Sequence, residues 1–512
     1  KMKYIISITP EIALDEIPIY AGGLGILEGD KSIEAGKLNI NYIVLTLFYP
    51  DGYVHYNASN GKLEEQKINL NFLLNYLEKE PEFKINLFNR EVQITPLIHR
   101  INTVKVVYFI VNDIQLKKAI EKLYIEETQD DYEEKYVILS KASLKYIQER
   151  IGFSNIIEIQ AQESLAGLIF LLLKGVNVKK RLIIHTPGAW GHPYFSGNTL
   201  KREYGINVGD REMITRLLFP NVDIVTTVSD KHEKITKNTF PEIKDKLTHV
   251  TNGVSLDRWM DPEIKKLLSL KDFSPNDFIK AHNFIKFKLL TFIRTRKQIP
   301  INIDTQIVLW ARRITRYKRP YFITRLIREL GNNLNVVFIL AGKAHPKDIE
   351  GRQYMSEFLA LERENSNIVY FLDYDISYAR LLLAGSDLLL FTPFSGWEAC
   401  GTSYMKAGVN GVPTLASRDG GVIEIIKDEF NGWLFGNNLY NLVDLYSEEA
   451  RRIDEEDYRD FKNKFLKIVE LYNKDREKYT QIMINALNTF YKWADVKRVI
   501  KELIPSQYWS SS

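Results

Sequence analysis

Short apolar runs rich in β-branched residues recur along this chain, and between them lie longer stretches whose apolar residues repeat at helical spacing. That alternation marks parallel sheets, because a parallel connection needs a crossover long enough to hold a helix. Residues 4–8, 42–48, 106–111, 156–160, 182–185 and 224–228 read as strands of a first half. Residues 306–311, 335–341, 368–372, 388–391 and 414–417 read as strands of a second, with helical patterns such as 134–150 and 321–330 between them. From about 255 to 300 the rhythm gives way to charged, Phe-rich helical sequence, and 453–503 is helical throughout. The pattern predicts an α/β chain of two doubly wound domains, 1–255 and 256–484, facing each other across a cleft, with a C-terminal helix within 485–512 packing back on the first. Ligands of such sheets bind outside the carboxyl ends of the strands. The motifs just after strands therefore carry the functional reading.

Composition narrows the class. With 512 residues, 45% of them hydrophobic, the chain can fill two cores, and 26% charged residues is ordinary for a globular protein. Disordered and fibrous classes are excluded. The 69 basic and 65 acidic residues leave a net charge of +4, too even for a nucleic-acid binder, whose cations cluster on one face. A phosphate site, by contrast, needs only a few well-placed cations. The single cysteine, Cys400, rules out an intramolecular disulfide and a cysteine-built zinc site. No run reaches the roughly 18–20 apolar residues of a spanning helix, and residues 1–6 lead straight into strand-like sequence with no signal region. The expectation is a cytoplasmic protein with no membrane or nucleic-acid partner and no metal; homo-oligomer formation is left open.

Five motifs follow strands. The run 396–406 comes after the apolar strand 388–391 and the turn-forming Thr392 and Pro393. Gly401, Thr402 and Ser403 read as a helix start with small residues and hydroxyl caps, where free N–H groups suit a phosphate. Lys406 lies four residues beyond Thr402, one turn along the same face. That spacing suits pyridoxal phosphate, held by its phosphate at the helix start and by its aldehyde carbon at the lysine amine. A strand–turn–helix with a surface lysine fits the same residues. Second, Arg312, Arg313, Arg316, Lys318 and Arg319 put five cations into eight residues after the strand ending at Ala311, either a phosphate site or a solvated helix start. Third, the turn 20–25 holds Gly22, Gly23 and Gly25 before a helical run; glycines let backbone N–H groups approach an anion, or simply make a tight turn. Fourth, His185 ends a strand and His192 follows, candidates for acid, base or hydrogen-bonding roles or for loop caps. Their spacing is not that of a helical zinc motif. Fifth, Asn252 and Gly253 mark a turn whose amide is suited to reading sugar hydroxyls.

Taken together and in order, these motifs resemble the α-glucan phosphorylases, in particular their shorter archaeal and bacterial branch. The likeness runs from about Tyr4 to about Phe435, is strongest over 398–411 with Asp419, Gly420 and 431–433, and is lost over 62–145 and the last stretch. It implies two Rossmann-like domains in the GT-B glycosyltransferase arrangement. It also implies reversible, retaining phosphorolysis of an α-1,4-glucan or maltodextrin by inorganic phosphate to glucose 1-phosphate. Lys406 matches the lysine that holds pyridoxal phosphate as a Schiff base. Gly23, Thr402 and Ser403 match the cradle of its phosphate, Tyr374 an aromatic lining its pocket, and Arg312 a cofactor-side position often held by lysine. Arg313, Lys318 and His185 match catalytic groups, the two cations beside the phosphates and the histidine beside the sugar. Glu398, Asn252 and Tyr317 match groups that bind the transferred glucose, with Gly22 and Gly401 assigned to the same substrate site. The family uses the cofactor's phosphate, not its ring, for proton exchange with substrate phosphate.

Several positions depart from that pattern. Cys400 replaces a serine, Tyr404 a smaller residue, Thr315 and Ser255 occupy sugar-side positions usually filled otherwise, and 160–164 lacks a histidine found in related sequences. Two other readings use the same features. One is a nucleotide-sugar glycosyltransferase of like architecture without pyridoxal phosphate, which has no use for Lys406. The other is a non-catalytic glucan-binding protein, which has no need of Arg313, Lys318 and Glu398.

Overall fold

A computed structural model describes residues 2–331 and 333–509. The chain divides into two compact units. The first comprises Lys1–Val54, Lys67–Thr251 and Val499–Ser512, the second His55–Gln66 and Asn252–Arg498.

The core of the first unit is a sheet whose strands lie in the order Leu247–His249, Ile224–Thr227, Lys179–Ile183, Ile156–Gln162, Tyr4–Ile8, Tyr42–Leu47, Val104–Val111 and Arg90–Ile101. The seven from Leu247–His249 to Val104–Val111 pair in parallel. Arg90–Ile101 runs antiparallel and carries Glu78–Lys79 and Phe83–Leu87 on its far side. Sequence order reverses between Tyr4–Ile8 and Ile156–Gln162, so this unit has its switch point there. The central strands Tyr42–Leu47 and Tyr4–Ile8 are buried almost throughout, as parallel strands covered on both faces must be.

The second unit holds six parallel strands in the order Ile368–Phe371, Val336–Ala341, Gln306–Ala311, Leu388–Phe391, Thr414–Ser417 and Trp433–Phe435. Numbered along the chain, that is 3-2-1-4-5-6, the doubly wound dinucleotide-fold order. The crossover helix Pro320–Leu330 starts on proline, whose missing N–H costs nothing in the first turn, and buries Phe322, Ile323, Leu326 and Ile327 on one face. The α/β, two-Rossmann architecture expected from sequence is thus observed.

The division differs from the sequence reading at three places. It falls after Thr251 rather than after 255, because Val254 pairs with Asp495 and Arg498 Nη2 donates to Asn252 O at 3.0 Å, tying 252–255 to the second unit. For the same reason 485–498 stays with the second unit, and the helix Val496–Leu503 is divided between the two at 498/499. The antiparallel hairpin His55–Ser59 and Lys62–Gln66, unforeseen, belongs to the second unit although unit-one sequence flanks it. Tyr56 OH donates to Ala344 O at 3.0 Å, and Arg352 stacks over the Tyr56 ring.

Candidate active site

The second unit's switch point lies between Gln306–Ala311 and Leu388–Phe391, and the chain leaving each strand enters the crevice there. One exit is the basic run 312–319, the other the run 392–402. Trp310 Nε1 donates to Thr392 Oγ1 at 3.0 Å, and Thr392 Oγ1 donates to Lys318 O at 2.7 Å. Phe394 N–H donates to Tyr317 O at 2.6 Å. Arg319, fully buried, donates to the carbonyls of Thr392 and Pro393 at 2.9 and 3.1 Å and is neutralised by Asp457 at 2.8 Å and Asp454 at 3.1 Å. The two exit loops are therefore fixed to each other before any ligand arrives.

Side chains from both loops meet. Arg312 Nη2 lies 3.0 Å from Glu398 Oε1, Lys318 Nζ lies 4.0 Å from Glu398 Oε2, and the Arg312 guanidinium stacks 4.4 Å over Phe391. Arg313 is exposed beside the Tyr317 hydroxyl. Burial, with Arg312, Arg313 and Lys406 as neighbouring cations, holds the Lys318 amine well below the usual lysine range, and Glu398 offsets only part of this. Burial raises the Glu398 carboxyl, but Arg312, Lys318 and Arg313 outweigh it and keep the group below its ordinary value. Positive charge exceeds negative here, which is the condition for anion binding.

Asp419 shapes the run 392–402: its two carboxylate oxygens accept from Gly396 N–H and Glu398 N–H, each at 2.8 Å. A Cβ at Gly420, where φ is 57°, would come within 2.3 Å of Cys400 O, so only glycine lets that turn close over the loop. The following helix, Ser403–Gly408, is a single short one, and Thr402 makes no side-chain cap bond. The hydroxyl capping expected at 402–403 is thus absent from Thr402, whose φ of −133° and ψ of −8° leave the usual N-cap conformation. Lys406 is buried, with its amine 4.3 Å over the Trp259 ring. Asn410 Nδ2 ties the two together by donating to Lys406 O at 2.9 Å and Trp259 O at 2.8 Å.

Among the described residues, Arg312 Nη1, Glu398 Oε2 and Ser403 Oγ are buried with no hydrogen-bond partner. They are three of sixteen such side-chain atoms, and these three belong to the residues assigned to phosphate, sugar and cofactor. Of the three, Arg312 Nη1 and Ser403 Oγ can donate to a phosphate-bearing cofactor, which Lys406 would hold, whereas the ionised Glu398 only accepts. Of the departures from the family pattern, Tyr404 is satisfied internally, its hydroxyl donating to Cys400 O at 2.9 Å. Burial pushes the Cys400 thiol up to about 12, leaving it inert. The Asn252 main chain hydrogen-bonds that thiol, which brings Asn252 to the same loop. Tyr374 follows Ile368–Phe371, two strands and so roughly 10 Å along the sheet from Gln306–Ala311.

The first unit places its own candidates at its switch point. After Tyr4–Ile8 the chain reaches Glu11, whose Oε1 accepts from Ala21 N–H and Gly22 N–H at 3.0 Å each. The glycine turn therefore spends its Gly22 N–H on Glu11 and does not hold it out to a ligand. A Cβ on Gly22 or Gly23 meets no protein atom within 4 Å, so open space lies over both. His185, just after Lys179–Ile183, has Nε2 2.8 Å from Gln162 Oε1. Gln162 Nε2 donates to Ser7 Oγ at 3.0 Å, and Ser7 Oγ donates to Glu28 Oε1 at 2.9 Å. A carboxylate only accepts, so the direction of the chain puts a proton on His185 Nε2 and makes Nδ1 the acceptor. Burial, with Lys31 and His232 nearby, holds the imidazole well below its usual range and hence neutral. His192 is buried against Thr215 Oγ1 at 2.8 Å and serves the loop.

A family model for group 1 glycosyl transferases matches residues 292–467, the stretch that holds the Arg312–Glu398–Lys318 cluster and Lys406. A maltodextrin phosphorylase of Thermococcus litoralis is 24% identical over 577 residues, covering 96% of this chain and 69% of the relative. A glycogen phosphorylase of Aquifex aeolicus is 24% identical, covering 99% of this chain and 86% of the relative. The chain is a distant homologue of the glycogen and maltodextrin phosphorylases. An uncharacterized protein of Methanocaldococcus jannaschii, 22% identical and 96% covered on both sides, shares its length as well. The chain is accordingly a glycosyltransferase related to these phosphorylases at low identity. Among the described residues no helix is long and apolar enough to cross a membrane.

Sequence reading did not single out Trp259, Glu163 or Arg319 as an organiser of the site. Trp259 lies outside every strand-exit motif, and Arg319 was one cation among five.

Proposed function

We propose that the protein is an α-glucan phosphorylase that converts an α-1,4-glucan and inorganic phosphate to glucose 1-phosphate, with pyridoxal phosphate on Lys406. The observation that carries this reading is the buried Arg312–Glu398–Lys318 cluster, with its cation surplus and its unpartnered Arg312 Nη1, in the crevice that also holds Lys406. When bound, pyridoxal phosphate supplies a phosphate group that exchanges a proton with the substrate phosphate.

Two phosphates side by side repel, and Arg312, Arg313 and Lys318 are the groups available to offset that repulsion. Burial and the neighbouring cations disfavour the charged form of the Lys318 amine, and a dianion beside it acts in the opposite sense by favouring the ammonium. Glu398, held ionised by Arg312, is an acceptor for sugar hydroxyls. The neutral His185 offers Nδ1 to another hydroxyl and has no proton to give at Nδ1, which assigns it to orienting sugar and not to acid catalysis. Asn252 and Tyr317 are assigned to glucose, Thr402, Ser403, Gly23 and Tyr374 to the cofactor.

Borohydride reduction of cofactor-supplemented protein, followed by peptide mass spectrometry, is expected to find a pyridoxyl group on the peptide containing Lys406. An unmodified Lys406 combined with glucosyl transfer from a nucleotide-glucose donor would replace this reading with that of a nucleotide-sugar glycosyltransferase.

A further inference from the structure

Glu163 sits at φ 76° and ψ 161°, a region of backbone space that belongs almost wholly to glycine. The strain is locked in from both sides: its N–H donates to Ile183 O at 2.8 Å and its carbonyl accepts from Ala166 N–H at 3.2 Å. The residue leaves the strand Ile156–Gln162 at the first unit's switch point, where glycine would meet the backbone requirement without strain. What glycine lacks is the side chain. One Glu163 carboxylate oxygen accepts from the His185 N–H, and the other accepts from Thr186 Oγ1 at 2.6 Å. Burial pushes the carboxyl up to about 7 against the pull of those same bonds, and no cation among the described residues offsets the burial. Strained backbone and buried acid are both retained for the sake of one peptide, that of His185 and Thr186.

We propose that Glu163 is a positioning residue for His185. Its forced backbone turn hangs a carboxylate under the His185-Thr186 peptide, while Gln162, its neighbour, grips the imidazole from the other end. Together the two residues fix both the main chain and the ring of the histidine. The proposal rests on the phosphorylase reading for what His185 orients, a glucosyl hydroxyl, but not for the strain or its purpose.

The test compares Glu163→Gly, Glu163→Ala and Glu163→Gln in the full chain loaded with pyridoxal phosphate. Thermal melting, amide exchange of the segment around His185, and kcat and KM for maltodextrin phosphorolysis are the readouts. Glu163→Gly is expected to melt above Glu163→Ala, the reverse of the usual order, because only glycine relieves the strain. It should also speed amide exchange at His185 and lower kcat by about 10–100-fold, with KM for phosphate unchanged. Glu163→Gln keeps an acceptor for the His185 N–H and an amide for Thr186, and is expected to restore slow exchange and most of kcat. The proposal is overturned if alanine melts at or above glycine, if His185 exchange is the same in all variants, or if Gln fails as badly as Gly. Wild-type protein that releases no glucose 1-phosphate from maltodextrin and phosphate would end the phosphorylase reading instead. The melting order and the exchange rates would still decide the role of Glu163.

Discussion

Lys318→Ala is expected to reduce phosphorolysis by about 100–1000-fold while leaving the protein folded, the range observed when one preorganised charge-stabilising donor is removed from an active site. The folded state does not need this amine: it is buried among cations, and burial already works against its charge. Glu398 retains Arg312 at 3.0 Å when Lys318 is gone, so no carboxylate is stranded. The proposed reaction would need it, because two phosphates brought together demand neutralisation that Arg312 and Arg313 alone would supply only in part. Steady-state kinetics with saturating glucan and varied phosphate, beside a melting curve, separate the two effects. Activity within a few-fold of wild type would remove Lys318 from the mechanism.

Asp387→Ala is expected to cost stability on the order of 3–5 kcal/mol, the usual consequence of leaving one member of a buried ion pair alone. Asp387 begins the strand-four segment of the second sheet and accepts from His282 Nε2 at 2.9 Å, Lys286 Nζ at 2.7 Å and the Ile307 N–H at 2.9 Å. Truncation leaves the Lys286 ammonium buried with only Thr305 O and the Tyr472 hydroxyl. Burial raises the Asp387 carboxyl, but Lys286 and His282 overrule it and bring it down to about 2 from 3.8. The folded value is the lower one, so this contribution is complete above about pH 4 and is lost as pH falls through about 2. Chemical denaturation of wild type and variant at neutral pH and near pH 2 checks both statements: the gap between them should narrow in acid. A gap that stays constant would mean that the charge of Asp387 contributes nothing.

Much of the architecture was legible because parallel strands buried on both faces announce themselves as unbroken apolar runs, as 336–341 and 306–311 do. The antiparallel strands were harder to see. In Phe83–Leu87 only alternate residues are buried, so Phe83, Ile85 and Leu87 are spaced among polar neighbours and form no run. The basic cluster and the lysine block were legible as strand exits. Which of the five cations would face Glu398 was not, because Arg312 and Lys318 are brought together by a turn of 3-10 helix, Arg316–Lys318, and Arg319 is drawn away to Asp454 and Asp457. Gly22 read as an open N–H because nothing in the local sequence reveals that Glu11, eleven positions earlier, takes it. Glu163 was invisible for a related reason: a residue other than glycine carries no sign in the sequence that its backbone has been forced past φ = 0.

The allotment of the hairpin 55–66 and of residues 499–512 has a consequence for how the molecule is made. Neither unit is one continuous piece of chain. Read in the order of synthesis, residues 55–66 emerge from the ribosome long before 252–498, the body to which they belong, and must wait exposed until it appears. The first unit waits in turn for its closing segment, which follows the whole of the second. The assembly of each body is therefore interleaved with the synthesis of the other: a chain stopped near residue 251 leaves both incomplete, whereas one stopped near 498 holds all of the second and lacks only the last piece of the first.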